Sequence, residues 1–430
     1  AVGVRAAETT PVVDLKTQSR VVLKNLPWEF YWQKLLTPSD FSDASLKPDL
    51  VLPATTIWNR LTISGRQLGS FGFATYRLRF TVSGHSERLG LRLPAPLSAF
   101  RLYINGEKLA EEGSLTTSPE NFEARRRTSL HFFRPQDGNV EIVIQVANFL
   151  LYKGGLRSEI ELGHAPAIQK YGMRYFAIDL FGMGLIFSIM LYHFLLYFLS
   201  RKDLAILIFA GLGLDYFILT TLFGEQTTSL FIPGLHMDIH TRLTSACTYL
   251  LPALVVEFTG TLYPGTVPAT TKRVFWLLAG MFILLLVLPP RVFLFYNVLY
   301  YMIVGGAGGA VSMWAVFRAV RENRAGARLL AAGILVLMAL TVYAVFLVAS
   351  DSQAGSFLSL GFSIFALTQS GSLAHAHAAL TRENSAMQLS LERSRQALDS
   401  QRKQIEANLH DSLGGNLTDI KLGLEAIEKD

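Results

Sequence analysis

The sequence predicts a three-part membrane protein: an all-β sandwich, a bundle of seven transmembrane helices and a charged C-terminal helix. Three observations carry that reading. Residues 174–378 hold seven long apolar runs, whereas residues 1–165 alternate apolar and polar positions in short stretches broken by Gly, Pro, Asn and Asp. From Ala378 the composition turns abruptly polar and charged. The chain is 430 residues long and 50% hydrophobic, with a mean hydropathy of +0.33. Those values are high for a soluble protein and follow from the apolar middle. The net charge of +6 says little, because basic residues flank the apolar runs. Cys247 is the single cysteine, so no disulfide forms within the chain and cysteine usage does not report the compartment. The opening AVGVRAAETT has neither a basic start nor an apolar core, so a placement outside the membrane expects a signal already removed.

In the front domain, Phe71–Val82, Arg88–Leu93, Phe100–Asn105, Ser129–Arg134 and Val140–Val146 read as strands. Asn105-Gly106 is the strongest hairpin signal, since both residues tolerate the positive φ of a tight turn. Many short strands with frequent turns predict an antiparallel sandwich of jelly-roll type. The aromatic cluster Trp28, Phe30, Tyr31 and Trp32, then Trp58, Ala74-Thr75-Tyr76-Arg77, Asn105-Gly106 and Ile144–Asn148 resembles the galactose-binding-like β-sandwich. That fold occurs in carbohydrate-active enzymes and bacterial receptor ectodomains.

Trp28, Tyr31 and Trp32 are candidates for an aromatic platform under a sugar ring. Core packing or contact with the membrane surface is the competing reading. Arg125, Arg126 and Arg127 are the sharpest charge run, suited to an anionic ligand or lipid headgroups, with a solvated loop as the plainer alternative. Through residue 165 there are 20 Lys+Arg and 16 Asp+Glu, a net +4. No paired carboxylates, nucleophile arrangement or metal-ligand spacing stands out here.

The expected spans are 174–199, 203–223, 240–262, 274–289, 292–317, 328–349 and 356–378. Most have the roughly 17–25 residues that a helical crossing needs. The fourth is short and ends at Pro289-Pro290, so a re-entrant pair with the fifth is an alternative. Arg201, Lys202, Lys272, Arg273, Arg318, Arg321, Arg324 and Arg328 all fall in alternate loops; Arg242 and Arg291 flank the opposite side. The basic side faces the cytoplasm, which puts the front domain outside and the C-terminal helix inside.

Leu180–Asp203, LFGMGLIFSIMLYHFLLYFLSRKD, resembles the bacterial seven-transmembrane receptors with diverse intracellular signalling modules. The resemblance implies an external sandwich that senses a ligand, in that family a carbohydrate-like one, and a variable cytoplasmic output. It also implies the inner membrane of a bacterium as the location. Asp179, His193, Asp215 and Glu257 lie within spans, where ionisable groups need partners. Matched depth predicts a His193–Glu257 pair, with a backbone carbonyl as the alternative partner of His193. Gly305, Gly306, Gly308 and Gly309 allow close helix approach, and Pro252 is expected to kink the third span. Retinal photochemistry is disfavoured because the seventh span has no lysine. Transport is disfavoured by the absence of an evident inverted repeat.

Residues 379–405 are expected to form a weak coiled coil. Leu391, Leu398 and Ile405 recur every seven residues, while Ser394 and Gln401 interrupt the seam. Residues 406–430 then begin a dimerisation helix. Leu409-His410-Asp411-Ser412-Leu413-Gly414-Gly415-Asn416-Leu417-Thr418 resembles the HDxLG phosphoacceptor box of sensor histidine kinases. Leu409, Leu413, Leu417, Ile420, Leu424 and Ile427 form one helix face, fit for a dimeric four-helix bundle, and His410 falls off it. The resemblance implies His410 as phosphoacceptor and Asp411 as its acid/base partner. Many members have Gln where this chain has Gly415, so the resemblance does not carry a phosphatase route.

The sequence ends inside the first bundle helix, and no nucleotide-binding motif is present. The expected whole is therefore a homodimeric sensor histidine kinase. Its parent protein is expected to bind ATP and Mg in a further domain and to pass phosphate to a cytoplasmic response regulator. No metal site and no nucleic-acid partner are expected. A non-enzymatic receptor or adaptor, or a transporter, are the competing classes.

Overall fold

The computed structural model describes residues 10–53, 56–83, 87–94, 96, 99–125, 127–156, 159–199, 203–223, 227–349 and 355–427. The strands are β1 (Val12–Val13), β2 (Arg20–Val22), β3 (Pro27–Trp32), β4 (Leu50–Pro53), β5 (Thr62–Ile63), β6 (Arg66–Gln67), β7 (Gly72–Val82), β8 (Leu89–Leu93), β9 (Ala99–Ile104), β10 (Glu107–Glu112), β11 (Ser129–Phe133), β12 (Asn139–Asn148) and β13 (Glu161–His164). The helices are α1 (Ala165–Leu199), α2 (Leu204–Phe223), α3 (Thr227–Phe231), α4 (Met237–Leu262), α5 (Ala269–Leu284), α6 (Pro290–Tyr300), α7 (Gly306–Arg321), α8 (Ala327–Ala349) and α9 (Gly355–Ile427). The chain divides into two units, Ala1–Ser370 and Gly371–Asp430.

All five strands expected from alternation are present, within two residues of their expected ends. A seven-stranded sheet runs in the order β10-β9-β12-β7-β3-β4, with β1 also on β7, and faces a four-stranded sheet in the order β11-β8-β13-β2. The pairs are antiparallel except β1 with β7. Period-two alternation sends Tyr76, Leu78 and Phe80 of β7, and Ile142, Ile144 and Val146 of β12, into one core with Leu89, Leu91 and Leu162. Asn105 and Gly106 both have positive φ (49° and 85°), and they close the β9–β10 hairpin as the sequence required.

Every residue of β8 is buried, which alternation against one core does not explain. The cause is α1. Its first turns cover the outer face of the four-stranded sheet, and the helix starts nine residues before the expected span. Among the described residues, five helical stretches are long and apolar enough to cross a membrane: Ala165–Leu199, Leu204–Phe223, Met237–Leu262, Ala269–Val287 and Pro290–Arg321. The remaining two expected spans fall on α8 and the first part of α9.

Inside this block, α6 and α7 are joined by a π-helical turn, Tyr301–Gly305, which the sequence did not announce. Of the four glycines expected at a close approach, Gly308 is the one that meets another helix. A Cβ there would lie 3.1 Å from the Cβ of Pro252 on α4, while Gly306 and Gly309 face open space.

Candidate functional site

His410 and Asp411 lie in the Gly371–Asp430 unit, where α9 continues as helix through Gly414 and Gly415. The two side chains are 89% and 88% exposed, and His410 Nδ1 is 3.7 Å from Asp411 Oδ1. That separation permits an ion pair with a protonated ring but is longer than a hydrogen bond. Leu409, Leu413, Leu417 and Ile420 are all more than half exposed. Their spacing puts them on one face, and His410 stands about 100° round from Leu409. Leu391, Leu398 and Ile405 are exposed as well. These residues form a run of exposed apolar side chains along the helix.

The intramembrane residues fall into separate places. The expected His193–Glu257 pair does not form. His193 Nδ1 donates to the Ile189 carbonyl at 2.8 Å, and its ring sits against Phe209. Glu257 instead accepts from Lys272 Nζ at 2.9 Å and Trp276 Nε1 at 3.2 Å. Equal depth does not fix which way a side chain points around its helix, and Lys272 on α5 is the stronger partner. Asp179 and Asp215 are both buried, Asp215 within hydrogen-bonding reach of the Cys247 thiol. A further polar chain was not anticipated. Asn297 of α6 donates to Ser245 Oγ at 2.7 Å and accepts from the Tyr249 hydroxyl, while Tyr300 donates to the Tyr249 carbonyl at 2.6 Å. It ties α4 to α6 beside the π turn.

The expected aromatic platform is also corrected. Trp28 is wholly buried and donates through Nε1 to the Leu23 carbonyl. Trp32 packs partly buried on the same core, edge-on to Trp58. Tyr31 points from the opposite face of β3, yet it too is buried, under Phe41, and donates to Glu29 at 2.8 Å. Burial pushes its hydroxyl above the ordinary tyrosine range, with the Glu29 carboxylate adding to that. Three residues on alternating faces do not make one flat surface. Arg125 and Arg127 are exposed, and Arg127 pairs with Glu112 at 3.4 Å; Arg126 lies outside the described residues.

The sandwich offers another opening. A cleft of about 600 Å³ lies between Pro38-Ser39, the Asn105-Gly106 turn and the loop from Gln136 to Asn139. Arg79, Asn105 and Glu141 line it. Asn105 Nδ2 is buried there without a hydrogen-bond partner among the described residues.

A β-sandwich joined to apolar helices of membrane-crossing length marks a membrane protein. Residues 175–376 match the family model described as 7TM diverse intracellular signalling, which marks this stretch as the membrane unit of a signalling receptor. No curated protein matches the chain. Solved structures with some likeness include a β-glucuronidase from Ruminococcus gnavus, 12% identical, with a TM-score of 0.26, covering 35% of this chain and 30% of that one. The same enzyme in complex with D-glucuronic acid gives 10% identity and the same TM-score and coverage. A GH2 β-galacturonidase from Eisenbergiella tayi bound to galacturonate is 11% identical, with a TM-score of 0.24, covering 34% of this chain and 24% of that one. The chain thus spans under a third of each of these proteins, and at such scores the likeness carries no argument.

Proposed function

We propose that this chain is the sensing and transmembrane part of a dimeric bacterial sensor histidine kinase. The observation that carries the reading is the box at residues 409–418. His410 is open to solvent, beside Asp411 and off an exposed apolar stripe. In this reading two copies pair along the stripe in a four-helix bundle, preceded by a coiled coil over residues 379–405. The Asp411 carboxylate closes in from its 3.7 Å separation to accept the proton of one ring nitrogen as the other nitrogen attacks the γ-phosphorus of ATP. An N–P bond forms, the bond to the bridging oxygen breaks, and ADP leaves. ATP and Mg bind in a domain of the parent protein, and the phosphoryl group then passes to a response regulator.

The loop charges support an inner-membrane protein with seven spans, its sandwich outside and its C-terminal helix in the cytoplasm. The ligand is sensed by the sandwich. With Trp28 and Tyr31 buried, the cleft at Arg79, Asn105 and Glu141 is the better seat for a carbohydrate-like molecule, since it pairs donors with an acceptor.

Labelling of the full-length parent protein with γ-labelled ATP tests the proposal. An acid-labile phosphate that disappears in His410→Gln is the expected result. Label that survives the substitution rejects it in favour of another acceptor, and an unlabelled unsubstituted protein rejects it in favour of a non-enzymatic receptor.

A further inference from the structure

The strand β13 passes straight into α1, with His164 in the strand and Ala165 in the helix. Two glycines let the helix lie on the sheet. A Cβ at Gly90 of β8 would be 2.9 Å from the Cβ of Ile168, and one at Gly172 would be 2.9 Å from Leu130 of β11. Ile168 is fully buried. Residues 168, 171, 172 and 175 share one helix face, and this face meets the outer side of the four-stranded sheet.

A charged cluster lies in the same seam, with Glu161 and Arg92 buried and Arg20 partly exposed. Glu161 and Arg92 are 5% and 2% exposed. Glu161 Oε1 pairs with Arg20 Nη1 of β2, and Oε2 with Arg92 Nη1 of β8 at 3.2 Å. One carboxylate faces two guanidiniums, and the helix supplies the balance. The Arg20 guanidinium lies 3.8 Å from the Tyr171 ring centre, and Arg92 lies 5.6 Å from Tyr171 and 5.9 Å from Tyr175. The Tyr171 hydroxyl donates to that of Tyr175 at 3.1 Å. Buried ion pairs are poor glue compared with apolar packing, and apolar packing is already present at Ile168 and Leu130. What charge-assisted hydrogen bonds and ring faces add is direction. An apolar contact tolerates sliding, whereas this set has one geometry.

We propose that Arg20, Arg92 and Glu161, with Tyr171 and Tyr175, are positioning residues that set the rotation of the first membrane helix against the sandwich. The helix then packs on α2, so a change of strand register at β2, β8 or β13 turns a transmembrane element. The inference rests on the receptor reading for its purpose and on the seam alone for its geometry.

Paired cysteines in the full chain, with Cys247→Ser and in lipid nanodiscs, test it. Leu130→Cys with Gly172→Cys faces across the seam, and Leu130→Cys with Met173→Cys is turned by one residue. Mild oxidation is expected to join the 172 pair about tenfold faster than the 173 pair, because disulfide geometry is strict. Glu161→Gln is expected to bring the two rates to within about twofold. Tyr171→Leu serves the same purpose should Glu161→Gln not fold, and Tyr171→Phe, which keeps the ring, should preserve the preference. A merely stabilising cluster would leave the ratio of rates unchanged on substitution, and that result overturns the proposal. So do equal rates in the starting protein. Since this readout needs neither ligand nor phosphate, failure to label His410 would sink the kinase reading and leave this one standing.

Discussion

Glu161 and Asp411 are two carboxylates with opposite surroundings. Glu161 is buried between Arg92, also buried, and Arg20, which is partly exposed, whereas Asp411 stands 88% exposed beside His410. The same contrast holds for the apolar residues around them. Leu162 and Ile168 are wholly buried, while Leu409 and Leu413 are more than half exposed. One region is built to hold a geometry within a single chain. The other leaves its apolar stripe uncovered within the described chain.

The sharpest way to break that comparison is at the exposed end. His410→Gln is expected to abolish phosphate incorporation in the full-length protein while leaving thermal unfolding unchanged to within about 0.5 kcal/mol. Loss of both together would mean that His410 is structural. Asp411→Asn should reduce the labelling rate about a hundredfold, with folding again unaffected, as measured by single-turnover kinetics.

The buried region should answer in stability. Trp28→Ala removes one of the two fully buried tryptophans of the sandwich core and is expected to cost about 3–5 kcal/mol, measured by denaturant unfolding followed at a front-domain probe. Leu413→Asp puts a charge on the exposed stripe. It should leave each chain's folding intact and weaken dimerisation at least about tenfold, read by analytical ultracentrifugation in detergent. A monomer–dimer equilibrium that does not move would separate the stripe from dimerisation.

The smallest expected effect is a pH dependence on the sandwich surface. Arg101, with Lys108, holds the Glu111 carboxyl down at about 2, against an ordinary value of 4.5. A depressed folded value means stability that is present above the ordinary pKa and lost as pH falls through the folded one. The Glu111–Arg101 pair is partly exposed, so roughly 1 kcal/mol is expected. Wild type should exceed Glu111→Gln by that amount at neutral pH, the gap closing between pH 4.5 and about 2. A gap that persists below pH 2 would point to packing rather than charge.

Much of this was legible because it is local. Alternation placed the strands, Asn105-Gly106 placed a hairpin, and the length of the apolar runs placed the helices. The apolar stripe from Leu409 to Ile420, with His410 off it, was legible because its spacing lies within one helix. The failures have physical causes too. Trp28, Tyr31 and Trp32 read as one platform only if the period of two is ignored. His193 and Glu257 were matched by depth, which says nothing about direction around a helix axis. The seam joins residues 69 and 141 positions apart, so no local pattern announces it. The π turn at Tyr301–Gly305 packs against α4 and leaves no compositional mark.

The way α1 leaves the sandwich also decides where this protein can be cut. A soluble fragment ending at residue 165, the limit suggested by hydropathy, would strip Ile168 from its place over Gly90 and leave Leu130 and Phe132 facing water. Such a fragment should be sticky. One ending just after Tyr175 would carry its own cover, and it marks the boundary for grafting this sandwich onto another membrane unit.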